Sequence, residues 1–304
     1  EDGIRDECTS LVGSEMCIRD RAYGKAREQF GAPLVEKQGF LFKLLVENWI
    51  DLEAGRAHME EVALRIDNGE KDMGTEGSIA KYWGTEAGNR AADASIQALG
   101  GYGYAREYVV EKMRRDVRIT SIYEGTSEIQ QSIIAMYRWK DTVRSKGAFY
   151  EEMAAGLDAL HEADPNVGAD LVGAAMRGMN DTIQHMHARK QTRNQIVMFT
   201  FADMMTVCEV ADALCRKAAA LNEAGDAEAG FFSAMSRAFA RKAVRMVKDG
   251  AERCVYGLAA AADADALKAG GDLLTALDNR LPAAALAGLW TDMNAVGEHL
   301  KNLD

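Results

Sequence analysis

The chain has 304 residues, with 36 Lys+Arg against 47 Asp+Glu, so its formal net charge is −11. That length and 48% hydrophobic residues suffice for one large domain or two of ordinary size. The acidic balance argues against a surface built to neutralise phosphates, only three prolines favour long helices over a β-sandwich, and no apolar run reaches the ~20 residues that span a bilayer.

In chain order, residues 1–20 show no helical or strand period and lack the charged start and apolar core of a signal peptide. They resemble translated adapter or cloning sequence, and residues 1–21 are read as a non-native or disordered leader. From Gln38 to Asp67 the spacing of Leu45, Trp49, Leu52, Met59, Ala63 and Ile66 predicts a helix. Arg56 lies in the same row, as a packed stem with its head paired to a carboxylate. Asn68-Gly69 ends this helix. A second helix is expected over 76–99, with Ile79, Trp83, Ala87, Ala91 and Ala94 inward. It stops at Gly100-Gly101-Tyr102-Gly103-Tyr104, a run expected to tolerate no helix.

A charged segment, Glu111–Arg118, leads to Ile122-Tyr123-Glu124-Gly125-Thr126 and a third long helix. Thr126 or Ser127 is its cap, Ser127 with Gln130 reads as a capping box, and Ile129, Ile133, Met136 and Val143 are expected inward. Beyond Lys146-Gly147 the composition shifts toward Ala, Met and Gly. Asp164-Pro165 reads as a helix start, and helices are expected over 165–190, 195–222, 227–257 and 282–302. Phe199, Phe201, Met204, Phe231, Phe232 and Phe239 would pack this second bundle. The fold class is therefore all-α, in two bundles with a boundary near residue 148.

Few residues invite chemistry. His185 and His187 point to different sides of a helix without a ligand partner at metal spacing, so no metal is expected. The Gly100–Tyr104 run contains a GxG but follows a helix, which fails the condition for dinucleotide binding. The five cysteines (Cys8, Cys17, Cys208, Cys215, Cys254) form no CxxC pair and suit a reducing compartment; Cys208 and Cys215 read as core residues. Glu124 stands out. Its apolar neighbours would partly desolvate it and raise its pKa toward that of a base for a carbon acid. Gly125 would admit a ligand close to the backbone, and the helix beyond would offer free N–H groups to an oxygen. Local physics leaves a second role open, a solvated turn residue or a partner for Arg115 or Arg118.

The ordered set Arg27-Glu28-Gln29-Phe30-Gly31, Gln38, Gln97 through Tyr104, Arg115-Asp116 and Ile122 through Gln130 resembles the C-terminal helical domain of the acyl-CoA dehydrogenases, over residues 22 to about 140. The resemblance implies a four-helix bundle (22–147) that completes a flavin site with an N-terminal helical domain and a middle β-domain. It implies that Glu124 is the base removing the α-proton of an acyl-CoA thioester, with FAD as hydride acceptor, and that Tyr123 and Gly125 line the thioester end. Arg27, Glu28, Gln29, Lys37 and Gln38 would contact the FAD of a neighbouring subunit. Gln97, Ala98, Leu99, Gly100 and Gly101 would form a second FAD contact, and Thr126, Ser127 and Glu128 a third. Glu128 departs from the Gln of some relatives, and its charge would repel a diphosphate.

Residues 148–304 resemble the helical extension of very-long-chain and other long members of that family, which fills space held by a second subunit pair in compact tetramers. The implied activity is formation of trans-2-enoyl-CoA with electrons passed to an electron-transfer flavoprotein, in a homodimer or homotetramer, in a bacterial cytoplasm or mitochondrial matrix. The chain alone is expected to hold FAD poorly and to turn over little acyl-CoA. Two alternatives stand beside this: an acyl-CoA oxidase, and a non-catalytic relative serving in assembly or interaction. A membrane-surface role has only Arg237–Lys248 as basic amphipathic support, and core packing is the preferred reading of the extension.

Overall fold

The computed structural model describes residues 15, 17–258 and 264–303. Among them the architecture is all-α apart from one hairpin of two-residue strands, Glu28–Gln29 and Ala32–Pro33, with Gln29 paired to Ala32. The chain divides into two compact units. One comprises residues up to Gln130 with Gly230–Met235 and Trp290–Asp304, and the other Gln131–Ala229 with Ser236–Leu289. This division falls inside the helix Ser127–Arg144.

Most of the leader expectation lies outside the described residues. Residues 17–26 are helical, however, with Cys17 and Asp20 buried and Ser95 Oγ 2.5 Å from Asp20 Oδ2. The helical period missed there is short, and it is contact with the 74–99 helix that settles it.

In the first unit, one-turn helix Gln38–Phe40 and π-helical Leu41–Val46 run into helix Glu47–Asp67, capped by Asn68. The next helix, Gly74–Leu99, packs along it. Trp83 Nε1 donates to the Asp51 carbonyl (2.8 Å), while Arg90 pairs with the Asp51 carboxylate (2.9 Å) and lies over the Trp83 ring. Arg56 pairs with Glu53 at 3.0 Å, as its place in an apolar row implied. The expected inward row fails beyond that point. Ala63 and Ile66 are exposed, whereas Ile50, Ala54, Ala57, His58 and Val62 are buried, because the first half of the helix is covered on most sides and its end is not.

Gly100, at φ +60°, ends the 74–99 helix, and Gly101–Tyr104 then forms a separate helical turn. The expectation that this run tolerates no helix is corrected: Gly103 lies so close to the Ile96 backbone that a Cβ would collide with its carbonyl. Helix Val109–Arg118 is tied back through Arg114, which donates to Asn89 Oδ1 (2.9 Å) and pairs with Asp93. The last helix, Leu289–Asn302, also belongs to this unit. Trp290 stacks on Phe42, His299 on Phe231, and Lys301 pairs with Glu36 at 3.0 Å. Phe231 and Phe232 belong to the Gly230–Met235 segment of this unit. Pro282 opens a 3-10 turn, Ala283–Leu286, and not the last helix.

The second unit takes in helices Ala148–Ala163, Ala169–Ala188, Gln195–Ala224 and Ala264–Arg280, with most of Ala229–Tyr256. Asp164 ends the first of these, and its Oδ1 accepts from the Asn166 N–H (2.9 Å), so Asp164-Pro165 is a helix stop where a start was expected. Phe201, Met204 and Phe239 are buried as expected, beside Met176, Met179, Ile183 and Met186. Within this apolar core sits an ion pair. Arg138 Nε and Nη2 each donate to Glu209 at 2.8 Å, Tyr150 Oη donates to Glu209 Oε1 at 3.0 Å, and the guanidinium lies over the Phe149 ring. Burial, then the Glu209 charge, holds the Tyr150 phenol well above its ordinary pKa, so it stays a donor.

Removing one partner strands the other charge in the core. Glu209→Ala is expected to cost about 3–5 kcal/mol, read as a lower urea midpoint of the second unit.

Candidate functional site

The break between helices Val109–Arg118 and Ser127–Arg144 begins with a 3-10 turn, Ile119–Ser121. Two consecutive residues then take left-handed backbone conformations, Glu124 (φ +54°) and Gly125 (φ +87°). The first is unusual for a residue with a Cβ, and the second would be strained for any side chain. A Cβ at Gly125 would also lie 2.8 Å from Gln130 Nε2.

Side chains from two helices hold this turn. Lys81 Nζ, from the 74–99 helix, donates to the Gly125 carbonyl at 2.7 Å, and Gln130 Nε2 donates to the Glu124 carbonyl at 3.0 Å. Thr126 caps the following helix: its carbonyl accepts from the Gln130 N–H (3.0 Å) and its hydroxyl from the Ile129 N–H (3.4 Å). Ser127 is buried, and its hydroxyl donates to Glu86 Oε1 at 2.6 Å. The expected Ser127–Gln130 capping box is thus replaced. Gln130 uses its amide N–H on a carbonyl left open by the turn, and Ser127 is spent on a neighbouring helix.

Glu124 is exposed, which corrects the expectation that its neighbours desolvate it. Ile122 and Tyr123 are themselves exposed, as are Ile119 and Ile129. These four flank the turn in sequence and leave it uncovered. Arg115 pairs with Glu111 at 3.0 Å, and Arg118 donates to Ser121 Oγ. The Glu128 carboxylate is held below its ordinary pKa by the Thr126 hydroxyl, its own N–H, and the charges of Arg118 and Lys81. It is an anion at neutral pH.

The inward face of the Ser127–Arg144 helix also differs from expectation. Ile134, Ala135, Arg138, Trp139 and Thr142 are buried, whereas Ile129 and Met136 are exposed. The apolar positions were read as one row, but an arginine and a threonine occupy the covered side.

The other expected cofactor contacts gather elsewhere in the first unit. Tyr23 Oη lies 3.5 Å from the Leu99 carbonyl, and Tyr23 and Phe40, which flank the hairpin in sequence, pack on Ala98, Leu99 and Val110. Arg27, Glu28, Gln29 and Gln38 are exposed and Lys37 is half-buried. Gln97, Gly100 and Gly101 are exposed too, but Ala98 and Leu99 point into the core, so only their backbone can reach a ligand. Phe30 has no role implied by its motif. It stands at the hairpin tip, 98% exposed, and both turn residues, Phe30 and Gly31, have positive φ. An aromatic residue forced into such a turn was the available signal. From Lys81 to Gln97 is sixteen residues, roughly 24 Å of helical rise. The Glu124 turn and the Gly100 break therefore stand at separate points along one helix.

A flavin dinucleotide offers aromatic rings and a diphosphate. Exposed Phe30, cationic Arg27 and Lys37, and open space beside Gly100 and Gly101 fit such a group. Glu28 and Glu128 do not, since carboxylates repel a diphosphate. Among the described residues no group of three or more His, Cys, Asp or Glu is placed to hold a metal ion, and no helix is long and apolar enough to cross a membrane.

The family model described as the acyl-CoA dehydrogenase C-terminal domain matches residues 8–137 and 154–267, well over half of the chain. An acyl-CoA dehydrogenase of Bacillus subtilis is 43% identical over 115 residues, 38% of this chain and 30% of the relative. The caffeyl-CoA reductase-Etf complex subunit CarC of Acetobacterium woodii is 39% identical over 113 residues, 37% of this chain and 29% of the relative. The match thus spans less than a third of these relatives' length. Over 97% of this chain, the fold matches 55% of a Bacillus anthracis acyl-CoA dehydrogenase crystallised with FAD, at TM-score 0.75 and 17% identity.

Two expectations follow from the local geometry. Gly125→Ala should destabilise the chain by about 1–3 kcal/mol in urea unfolding, through φ strain and displacement of Gln130. Burial pushes the Cys215 and Cys254 thiols up to about 12 and Cys208 further, so alkylation of these three at pH 8, read by peptide mapping, should fail on the native chain and proceed in urea.

Proposed function

Because the chain belongs to the acyl-CoA dehydrogenase C-terminal domain family, we propose that it forms the C-terminal part of an FAD-dependent acyl-CoA dehydrogenase, with Glu124 as the base that takes the α-proton of a fatty acyl-CoA on its way to trans-2-enoyl-CoA. The observation that carries this reading is the Glu124-Gly125 turn, two left-handed residues held by Lys81 and Gln130 at the head of a capped helix, with exposed Ile119, Ile122, Tyr123 and Ile129 on either side of it in sequence. A thioester α-proton is too weakly acidic for a carboxylate in bulk water. The base has to be desolvated and the thioester oxygen polarised. An exposed carboxylate flanked by exposed apolar residues would meet the first need once substrate and the rest of the enzyme cover it.

In this reading Tyr123 and Gly125 line the thioester end. FAD, when bound, supplies the hydride acceptor. Arg27, Gln29, Phe30, Lys37 and Gln38 would hold it from the hairpin edge of a neighbouring subunit. The backbone of Gln97–Gly101 and the Thr126–Ser127 helix start would hold it elsewhere, with Glu128 contributing through its backbone at most. Residues 22–147 then serve as the FAD-completing domain, and 148–304 as a helical extension of the very-long-chain type within a homo-oligomer. Electrons would leave to an electron-transfer flavoprotein, a partner class that agrees with the name of the Acetobacterium woodii relative.

Glu124→Gln in the full-length enzyme tests this. FAD content should be unchanged, and anaerobic bleaching of the flavin by acyl-CoA should slow about 10²–10⁴-fold, the usual contribution of a general base. Unchanged bleaching would move the base elsewhere, and peroxide release by the wild-type enzyme in air would make it an oxidase.

A further inference from the structure

We infer that Lys81 is a positioning residue for this reaction, pinning the Gly125 carbonyl so that the turn presents the Glu124 carboxylate in one direction. The inference rests on the proposed role of Glu124.

Lys81 is 8% exposed, and lysine is seldom so buried without a partner. Its Nζ reaches across 44 positions of sequence to a backbone carbonyl at 2.7 Å. Such a bond has a charged donor and is stronger than one between neutral groups. The acceptor is well chosen for control of the turn. The Glu124 and Gly125 carbonyls belong to the two peptide planes that follow the Glu124 Cα. Gln130 holds the first and Lys81 the second, and the two bonds together restrain the Gly125 dihedrals and with them the direction of the Glu124 Cα–Cβ bond. Gln130 comes from the helix the turn leads into, so it moves with the turn. Lys81 comes from a separate helix and refers the turn to the body of the first unit. The helix itself has its own tie to the same partner, through Ser127 and Glu86. Loss of Lys81 would therefore leave the helix seated and free the turn.

Misplacement of a catalytic group by about 1 Å can cost 10²-fold in rate. The test compares Lys81→Met, Lys81→Arg and Lys81→Gln with wild type in the FAD-loaded full-length enzyme, following single-turnover bleaching against acyl-CoA concentration. For Lys81→Met the maximal bleaching rate should fall about 10- to 100-fold, with FAD content unchanged and the half-saturating acyl-CoA concentration within about twofold. Lys81→Arg, which keeps a long charged donor, should recover most of the rate. A Lys81→Met enzyme that bleaches at the wild-type maximal rate, or loses only thermal stability or substrate affinity, overturns the inference. If Lys81→Met does not retain FAD, the other two variants decide: Arg at least tenfold faster than Gln supports the role, and any smaller ratio overturns it. Glu124→Gln in parallel separates the two readings. Normal bleaching by that variant removes the base itself, whereas its loss beside a normal Lys81→Met removes only the role of Lys81.

Discussion

Two left-handed residues in succession, Glu124 and Gly125, form the constraint on which the site depends. A non-glycine residue held at φ +54° costs on the order of 1–3 kcal/mol. A charge-assisted hydrogen bond of the kind Lys81 makes to Gly125 contributes about 1.5–3 kcal/mol, so this bond with that from Gln130 is enough to keep the turn. The turn in turn places Thr126 to cap the next helix and leaves the Glu124 carboxylate outside the packed body of the unit. A looser connection would leave that carboxylate more directions to sample, which is poor preparation for the proton transfer proposed for it.

The 74–99 helix acts as a rule along which the candidate site is laid out. Lys81 and Glu86 serve the turn, Trp83 and Arg90 lock the helix to its neighbour through Asp51, and Leu99 at its end meets Tyr23 of the 17–26 helix. A rigid helix is suited to this, since positions sixteen residues apart keep their separation without further support. The second unit has its own organising contact, the buried Arg138–Glu209 pair with Tyr150. That contact is costly to break because each charge has no water to turn to.

The helices of the chain were legible because their apolar spacing is local. The 74–99 helix, with Ile79, Trp83, Ala87 and Ala91 buried, follows its sequence pattern closely. The failures share a physical cause. Asp164-Pro165 carries the residues of a helix start, and the same residues suit a stop when the preceding segment is already helical. Ala148–Ala163 and Ala264–Arg280 went unread because Ala and Gly dilute the contrast that periodicity needs. The buried side of the Ser127–Arg144 helix carries Arg138 and Thr142, polar residues that no apolar pattern reports and that only their partners explain.

Taken alone, the amino-acid order determined an all-α chain, its main helix breaks at Gly69, Gly100 and Gly125, and the motif residues that mark its family, because these depend on local propensity and on residue identity at fixed spacing. Tertiary structure decided which sides of the helices are covered, that the last helix belongs with the first unit, that Ala98 and Leu99 face inward, that Glu124 stands exposed, and that Lys81 grips its turn. Each of these is a contact between residues far apart in sequence, and burial depends on what the folded chain brings alongside a residue, which its immediate neighbours do not encode.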